Sequence, residues 1–290
     1  MKQIDVGLSL MLEDDFHQAA QPLFESQQVD IVEWSFDMGW GRPLPAWLQK
    51  TLMDFSGRSK LIGHGVSYST LDASQTSRQA AWLSQLQIEV AHRRYQHISE
   101  HFGFMGGGNF HLASPLPVPR TPTTVAIGQQ RLRELALVAQ VPVGLENLAF
   151  AFNLRDVQSQ GPFLDELLEP VNGFLVLDLH NLYCQSCNFG IPVDDLIAAY
   201  PLERVIELHV SGGGWSEHPQ GSGAMVRRDT HDAAVPEEVF AAIPGTIAKC
   251  KNLRAVILER LGGTLHSSPE DAAKFREDFL SLKRLVVTGN

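Results

Sequence analysis

The sequence predicts an α/β protein of the (β/α)8 TIM-barrel class, and three observations carry that expectation. Eight apolar runs rich in β-branched residues are spaced along the 290 residues. Segments with helical patterning lie between most of them. Nearly every run also closes on a side chain able to bind a metal ion, and the C-terminal ends of barrel strands are where barrel sites are built. With 44% hydrophobic residues the chain can bury a sizeable core. Two small domains or a doubly wound open sheet would also fit this length. No Gly/Ser-rich linker and no internal repeat divides the chain, so one domain over residues 1–290 is expected.

Taken in order, the first strand is expected at 4–10, where IDVGLSL mixes Ile, Val and Leu. VDIVEWSF at 29–36 follows and brings Glu33 into an apolar run. LIGHGVS at 61–67 carries His64, and HISEHFGF at 97–104 carries Glu100 and His101. VPVGLENL at 141–148 ends on Glu146 and Asn147. GFLVLDLH at 173–180 begins as a strand buried on both faces, yet closes on Asp178 and His180. ERVIELHVS at 203–211 contains Glu207 and His209, and AVILERL at 255–261 contains Glu259. Helices are expected in GQQRLRELALVAQ (128–140) and PVDDLIAAYPLE (192–203). The last helix is the clearest: Ser268 caps it, Pro269 takes the first helical position, and Phe275, Phe279, Leu282 and Val286 share one face. Two long loops are expected, at 105–124 and 211–235. Their GGG tracts, 106–108 and 212–214, match neither a P-loop nor a dinucleotide fingerprint and read as lid segments.

The formal charge of −10, with no run of Lys or Arg, speaks against general binding to nucleic acid or to anionic membranes. The N-terminal apolar run is short and acidic residues follow at once, so no signal peptide is expected. No stretch approaches the roughly 18 apolar residues of a membrane span. The three cysteines, Cys184, Cys187 and Cys250, are too few and too scattered for a disulfide framework, and a cytoplasmic protein is expected. Cys184-x-x-Cys187 lacks the second pair of a zinc site and reads as two loop thiols, with a redox dithiol or an auxiliary metal contact as the alternatives.

The strand-end residues form the main functional signal. Asp178-x-His180, Glu207-x-His209 and Asp229-x-His231 share an i, i+2 spacing, which in extended chain turns both side chains to one face. Taken singly, each group has an ordinary reading as a hydrogen-bonded histidine, a capping pair or a salt bridge. Gathered at one rim, so many carboxylates would repel one another and pay a large desolvation cost unless cations neutralised them. A multinuclear metal site is the economical explanation. Mixed imidazole and carboxylate ligands suit zinc, iron or manganese. His17, His92, His97, His111, His218 and His266 fall outside the pattern and read as ordinary histidines, His111 and His218 being set in the long loops.

The segments GHGVSYS, ISEHFGF, LENLAFAF, LVLDLHNLYCQSCNFG, RVIELHVSGGG, RRDTHDAAVP and VILERL occur in that order between residues 63 and 261. Together they resemble the multinuclear non-heme iron-dependent oxidative enzymes, whose fold is a xylose-isomerase-like TIM barrel. The resemblance implies oxidation of a ribosomally made precursor peptide, often at cysteine. Its cofactors would be two or three iron ions of mixed valence, with O2 as co-substrate. A partner protein would recruit the peptide. It points to His64, His101, Glu146, Asp178, His209, Asp229, His231 and Glu259 as ligands. His180 or Asn181 and Glu207 would be further ligands or their supports, and Asp229, His231 and Glu207 the working groups in catalysis. Many members carry Asp-x-Asn-Asn where this chain has Asp178-Leu179-His180-Asn181, and the extra imidazole would complete a third metal site. FGFMGGGN replaces a Trp-containing segment, and Glu33 and Asp37 match the second-strand acidic pattern only in part. Two other functions fit the same barrel: a zinc-dependent, endonuclease IV-like phosphodiesterase or a sugar isomerase, and a metal-stabilised peptide-binding module without catalysis.

Overall fold

Alternation along each strand decides what the barrel encloses. In the first strand, β1 (Asp5–Leu10), Val6, Leu8 and Leu10 join the shell packed under the helices, while Gly7 and Ser9 turn inward. The computed structural model describes residues 3–73, 76–107, 110–217, 223–266 and 269–288, without the side chains of residues 110–114. The strands that follow β1 are β2 (Ile31–Trp34), β3 (Leu61–Gly65), β4 (Ile98–His101), β5 (Phe104–Gly107), β6 (Phe110–Leu116), β7 (Val143–Glu146), β8 (Phe174–Asp178), β9 (Val205–Val210), β10 (Trp215–Glu217), β11 (Met225–Arg227) and β12 (Ala255–Leu258). Eight of them close a parallel barrel in the order β1-β12-β9-β8-β7-β4-β3-β2. This is the expected (β/α)8 fold.

The helices are α1 (Asp14–Glu25), α2 (Ala46–Gly57), α3 (Ser77–His92), α4 (Pro122–Ala139), α5 (Leu154–Leu168), α6 (Leu179–Phe189), α7 (Val193–Ala198), α8 (Glu237–Lys249) and α9 (Pro269–Thr288). Local chemistry starts several of them. Thr76 with Gln79 and Thr121 with Thr124 form capping boxes on α3 and α4, and Asn153 accepts from two backbone amides of α5. In α9, Phe275, Phe279, Leu282 and Val286 are buried as the spacing requires; the expected Ser268 cap lies outside the described residues.

Inside the barrel, the N-terminal end is filled by Ile31, Ile62, Ala255 and Ile257, and beside them by Phe174, Val176 and Ile206. Gly144 makes room for this layer: a Cβ there would lie 2.4 Å from the Phe174 ring. Polar side chains replace the apolar ones toward the C-terminal mouth.

Three expectations need correction. The 97–104 strand stops at His101, and the 105–124 segment is not an open loop: its chain forms the β5–β6 hairpin before α4 begins at Pro122. The 211–235 segment likewise holds an antiparallel pair, β10–β11. The 173–180 strand ends at Asp178, whose side chain caps α6, so His180 and Asn181 sit on a helical turn.

Candidate metal centre

Two neighbouring strands supply the first group. His64 on β3 and His101 on β4 bring their Nε2 atoms 3.4 Å apart. Glu146 Oε2, from the end of β7, lies 3.4 Å from His64 Nε2 and 3.5 Å from His101 Nε2. Ser99 fixes the first imidazole: its Oγ lies 2.8 Å from His64 Nδ1 and donates to Gly63 O at 3.5 Å, an arrangement in which the hydroxyl accepts from Nδ1 and the Nε2 lone pair faces the other two groups. Burial, with His101 and His209 nearby, holds His64 well below the usual histidine range, and a neutral imidazole is the form that binds metal.

A second group joins Glu146 to Asp178, His209 and Glu259, all buried. His209 Nδ1 stands 3.3 Å from Glu259 Oε2 and 3.6 Å from Glu146 Oε1, without hydrogen-bond alignment to either. Asp178 is held on its backbone by Asn147, which accepts from Asp178 N at 2.6 Å and donates to Asp178 O at 3.1 Å. One carboxylate oxygen, Oδ1, caps α6 through Asn181 N at 2.6 Å; the other, Oδ2, has no partner. Asp178 Oδ2, His209 Nδ1 and Glu259 Oε2 are thus buried atoms that make no hydrogen bond, each costing about 1–3 kcal/mol if left so. Burial and then repulsion from Asp229, Glu146 and Glu259 push Asp178 well above the usual carboxylate range. Bound cations would meet these costs, and the donor set fits iron, manganese or zinc.

The third group is Asp178 with Asp229 and His231, the latter two carried by the segment between β11 and α8. His231 Nε2 lies 2.9 Å and 3.0 Å from the two Asp229 oxygens. His231 has φ of +52°, so this pair is not the extended i, i+2 arrangement expected. A left-handed kink brings the two side chains together instead.

The remaining expected residues fall elsewhere. Glu207 sits one turn of alternation deeper on β9, fully buried, with Oε2 2.6 Å from His97 Nε2. It does not line the cavity over the rim. Glu33 Oε2 accepts from His209 Nε2 at 3.0 Å. Glu33, Glu207 and His209 also lie close enough to hold an ion, but His209 has only one nitrogen for each side. Glu100 alternates away from His101 and is buried beside Gly65 and Trp82, outside the rim. His180 joins none of the four groups found among the described residues, because a helical step separates it from Asp178 where a strand would have aligned them. Cys184 is buried and Cys187 exposed, and neither belongs to those groups. His218 lies outside the described residues, as does the His111 side chain. Ser99, His97 and Asn147 support ligand candidates in ways the sequence did not signal; a serine or asparagine in a strand has no spacing of its own.

A cavity of about 330 Å3 opens over the rim. His64, His101, Asp229, His231 and Glu259 form its floor. Met11, Leu12, Met38, Leu148, Phe150 and Leu261 contribute apolar walls.

The closed parallel barrel and the imidazole–carboxylate rim at its C-terminal mouth define the class, a xylose-isomerase-like TIM barrel. D-psicose 3-epimerase from Clostridium cellulolyticum overlays with a TM-score of 0.61 at 11% identity, covering 98% of this chain and 99% of that one. Endonuclease IV from Thermus thermophilus does so at 0.56 and 16%, covering 97% and 99%. These likenesses speak for the fold alone. Among sequences, a UPF0276 protein of Caulobacter vibrioides is 27% identical over 230 residues, 79% of this chain and 77% of that protein. A UPF0276 protein of Shewanella loihica is 25% identical over 242 residues, 83% and 81%. Residues 17–265 match the family model of the RiPP precursor modification enzyme MbnB/TglH/ChrH, and the chain belongs to that family.

Proposed function

We propose that the protein is an iron-dependent oxidase that uses O2 to modify a ribosomally made precursor peptide at cysteine. The observation that carries this reading is the set of unpartnered buried donor atoms at the mouth of a barrel whose family modifies such precursors. Glu146 and Asp178 each belong to two of the ligand groups. Through them the three groups form a chain: His64–His101–Glu146, then Glu146–Asp178–His209–Glu259, then Asp178–Asp229–His231. That chain has places for two or three ions, with Glu146 and Asp178 as shared carboxylates.

Iron held by His64, His101, Glu146, Asp178, His209, Glu259, Asp229 and His231 would supply electrons for O2 and Lewis acidity toward a thiolate. The chain's own groups do the rest. His64 presents a neutral nitrogen because Ser99 holds its other one. Glu33 accepts from His209 and keeps the Nδ1 atom turned to the rim. The walls formed by Met11, Leu12, Met38 and Phe150 give the cavity an apolar lining with room for a peptide side chain. A peptide-recruiting partner protein would deliver the substrate, in a reducing cytoplasm where the peptide thiol stays free. No helix among the described residues is long and apolar enough to cross a membrane.

The test is anaerobic purification followed by elemental analysis, a spectrum for mixed-valence iron, and oxygen uptake with the peptide encoded beside the gene. Iron, peptide-dependent oxygen consumption and a mass change at cysteine are expected. Zinc with phosphodiesterase or sugar-isomerase activity would overturn the proposal, as would iron with no change in any such peptide.

A further inference from the structure

The first turn of α6 carries a buried imidazole that the rim does not use. His180 is fully buried, and its Nδ1 lies 2.8 Å from Asp229 Oδ1. Its other nitrogen, Nε2, faces the Arg227 guanidinium at 3.3 Å. Arginine has donors only, so Nε2 must accept, Nδ1 must carry the hydrogen, and that hydrogen goes to Asp229. Arg227 is itself nearly buried. Its guanidinium carbon stands 5.3 Å from the Tyr183 ring and 5.6 Å from the Trp215 ring. Its backbone is clamped by Asn188, which donates to Arg227 O at 2.9 Å and accepts from Arg227 N at 2.8 Å. The packing leaves no slack: a Cβ on Gly213 would lie 2.9 Å from His180 Cε1.

We infer that His180 is a positioning residue, locked between Arg227 and Asp229, that ties the Asp229–His231 segment to α6 and so completes the ion site these two form with Asp178. Asp178 caps α6 and Asp229 is bonded to the first turn of the same helix. Helix α6 therefore sets the distance between the strand-borne carboxylate and the loop-borne pair. The other two ligand groups draw on strand ends of the barrel and need no such tie. A ligand role for His180 through Nε2 would require the guanidinium to leave first.

This inference rests on the metal reading above, and a cobalt(II) titration separates the two. Wild-type protein and the Arg227→Met, His180→Ala and His180→Asn variants are titrated with cobalt(II) chloride. Ion count is read by elemental analysis after gel filtration, and ligand environment by the visible ligand-field spectrum. Melting curves report the fold. Arg227→Met and His180→Ala should each weaken one ion at least tenfold while the others keep their count and bands. His180→Asn, whose amide can still donate to Asp229, should recover part of the loss. Unchanged or tighter binding in Arg227→Met would make His180 either a ligand or a bystander and would overturn the inference. A lower melting temperature with a full ion count would do the same, leaving the pair a purely structural role. Should Arg227→Met not fold, Arg227→Gln, which keeps a donor, should show an intermediate loss. Wild-type protein that binds no cobalt would remove the metal reading itself.

Discussion

Glu33 shows how much of this site depends on residues that touch no substrate. It is fully buried, burial and then the neighbouring carboxylates push it up to about 7, and its Oε2 accepts from His209 at 3.0 Å. Burial also opposes the charge on Glu207, but His97 and His209 more than offset it and hold Glu207 at about 2. Two carboxylates therefore aim His209 from beneath. Replacing Glu33 with Gln should weaken the ion held by His209 about 10–100-fold, because the imidazole loses basicity and orientation. Competition with a chelator checks this, and an unchanged affinity would separate Glu33 from the site. At this scale the sequence was informative wherever strand alternation governs: His64, His101, Glu146, His209 and Glu259 converge as their positions imply. At His180 the expected strand gives way to helix, since Leu179 and His180 both belong to α6, and the side chain lies against Asp229. Glu33 carried a signal as an acid in an apolar run, but nothing in the sequence showed that it would face an imidazole.

At the scale of elements, the eight runs and the last helix were legible because buried parallel strands and one-sided helices leave periodic traces. The β5–β6 and β10–β11 pairs were not, since strands this short and outside the barrel sheet leave no sustained apolar alternation to read. The β10–β11 pair matters most, for it carries the chain into Asp229 and His231. Asn188 fastens it to α6 with two backbone hydrogen bonds. Asn188→Ala should remove about 1 kcal/mol for each. Amide exchange at Met225–Arg227 should then quicken by on the order of tenfold or more, with the barrel strands unaffected. Exchange rates equal to wild type would show that the hairpin is held by Arg227 and its rings alone. Trp215 and Met225, both about half exposed, lie on the same pair of strands.

For the whole molecule, the crowded rim makes ion-free stability depend on pH. Burial opposes protonation of His209 and His231, but Glu259 and Glu33 around the first, and Asp229 and Glu259 around the second, raise both well above the usual range. Their stabilisation is complete below the unfolded value of about 6.5 and is lost as pH rises through the folded values. Asp178, raised by burial and its neighbours, adds a penalty in the same direction as it ionises. Asp229 and Glu259 are lowered; their contribution exists above the unfolded carboxylate range and is lost only in acid, so it is constant near neutrality. The ion-free protein should therefore melt lower at about pH 8 than at about pH 6.5. Added manganese(II) or iron(II) should raise the melting temperature more at the higher pH, since binding displaces those protons. An equal gain at both values would show that the imidazoles are already neutral.

The apolar plug of Ile31, Ile62, Ala255 and Ile257 closes one end of the barrel, so among the described residues the rim is approached from the cavity at the other end. Under the proposed function, gas, incoming peptide and outgoing product would all cross the same threshold, and a finished peptide held there should inhibit competitively against fresh peptide, which product-inhibition kinetics would read.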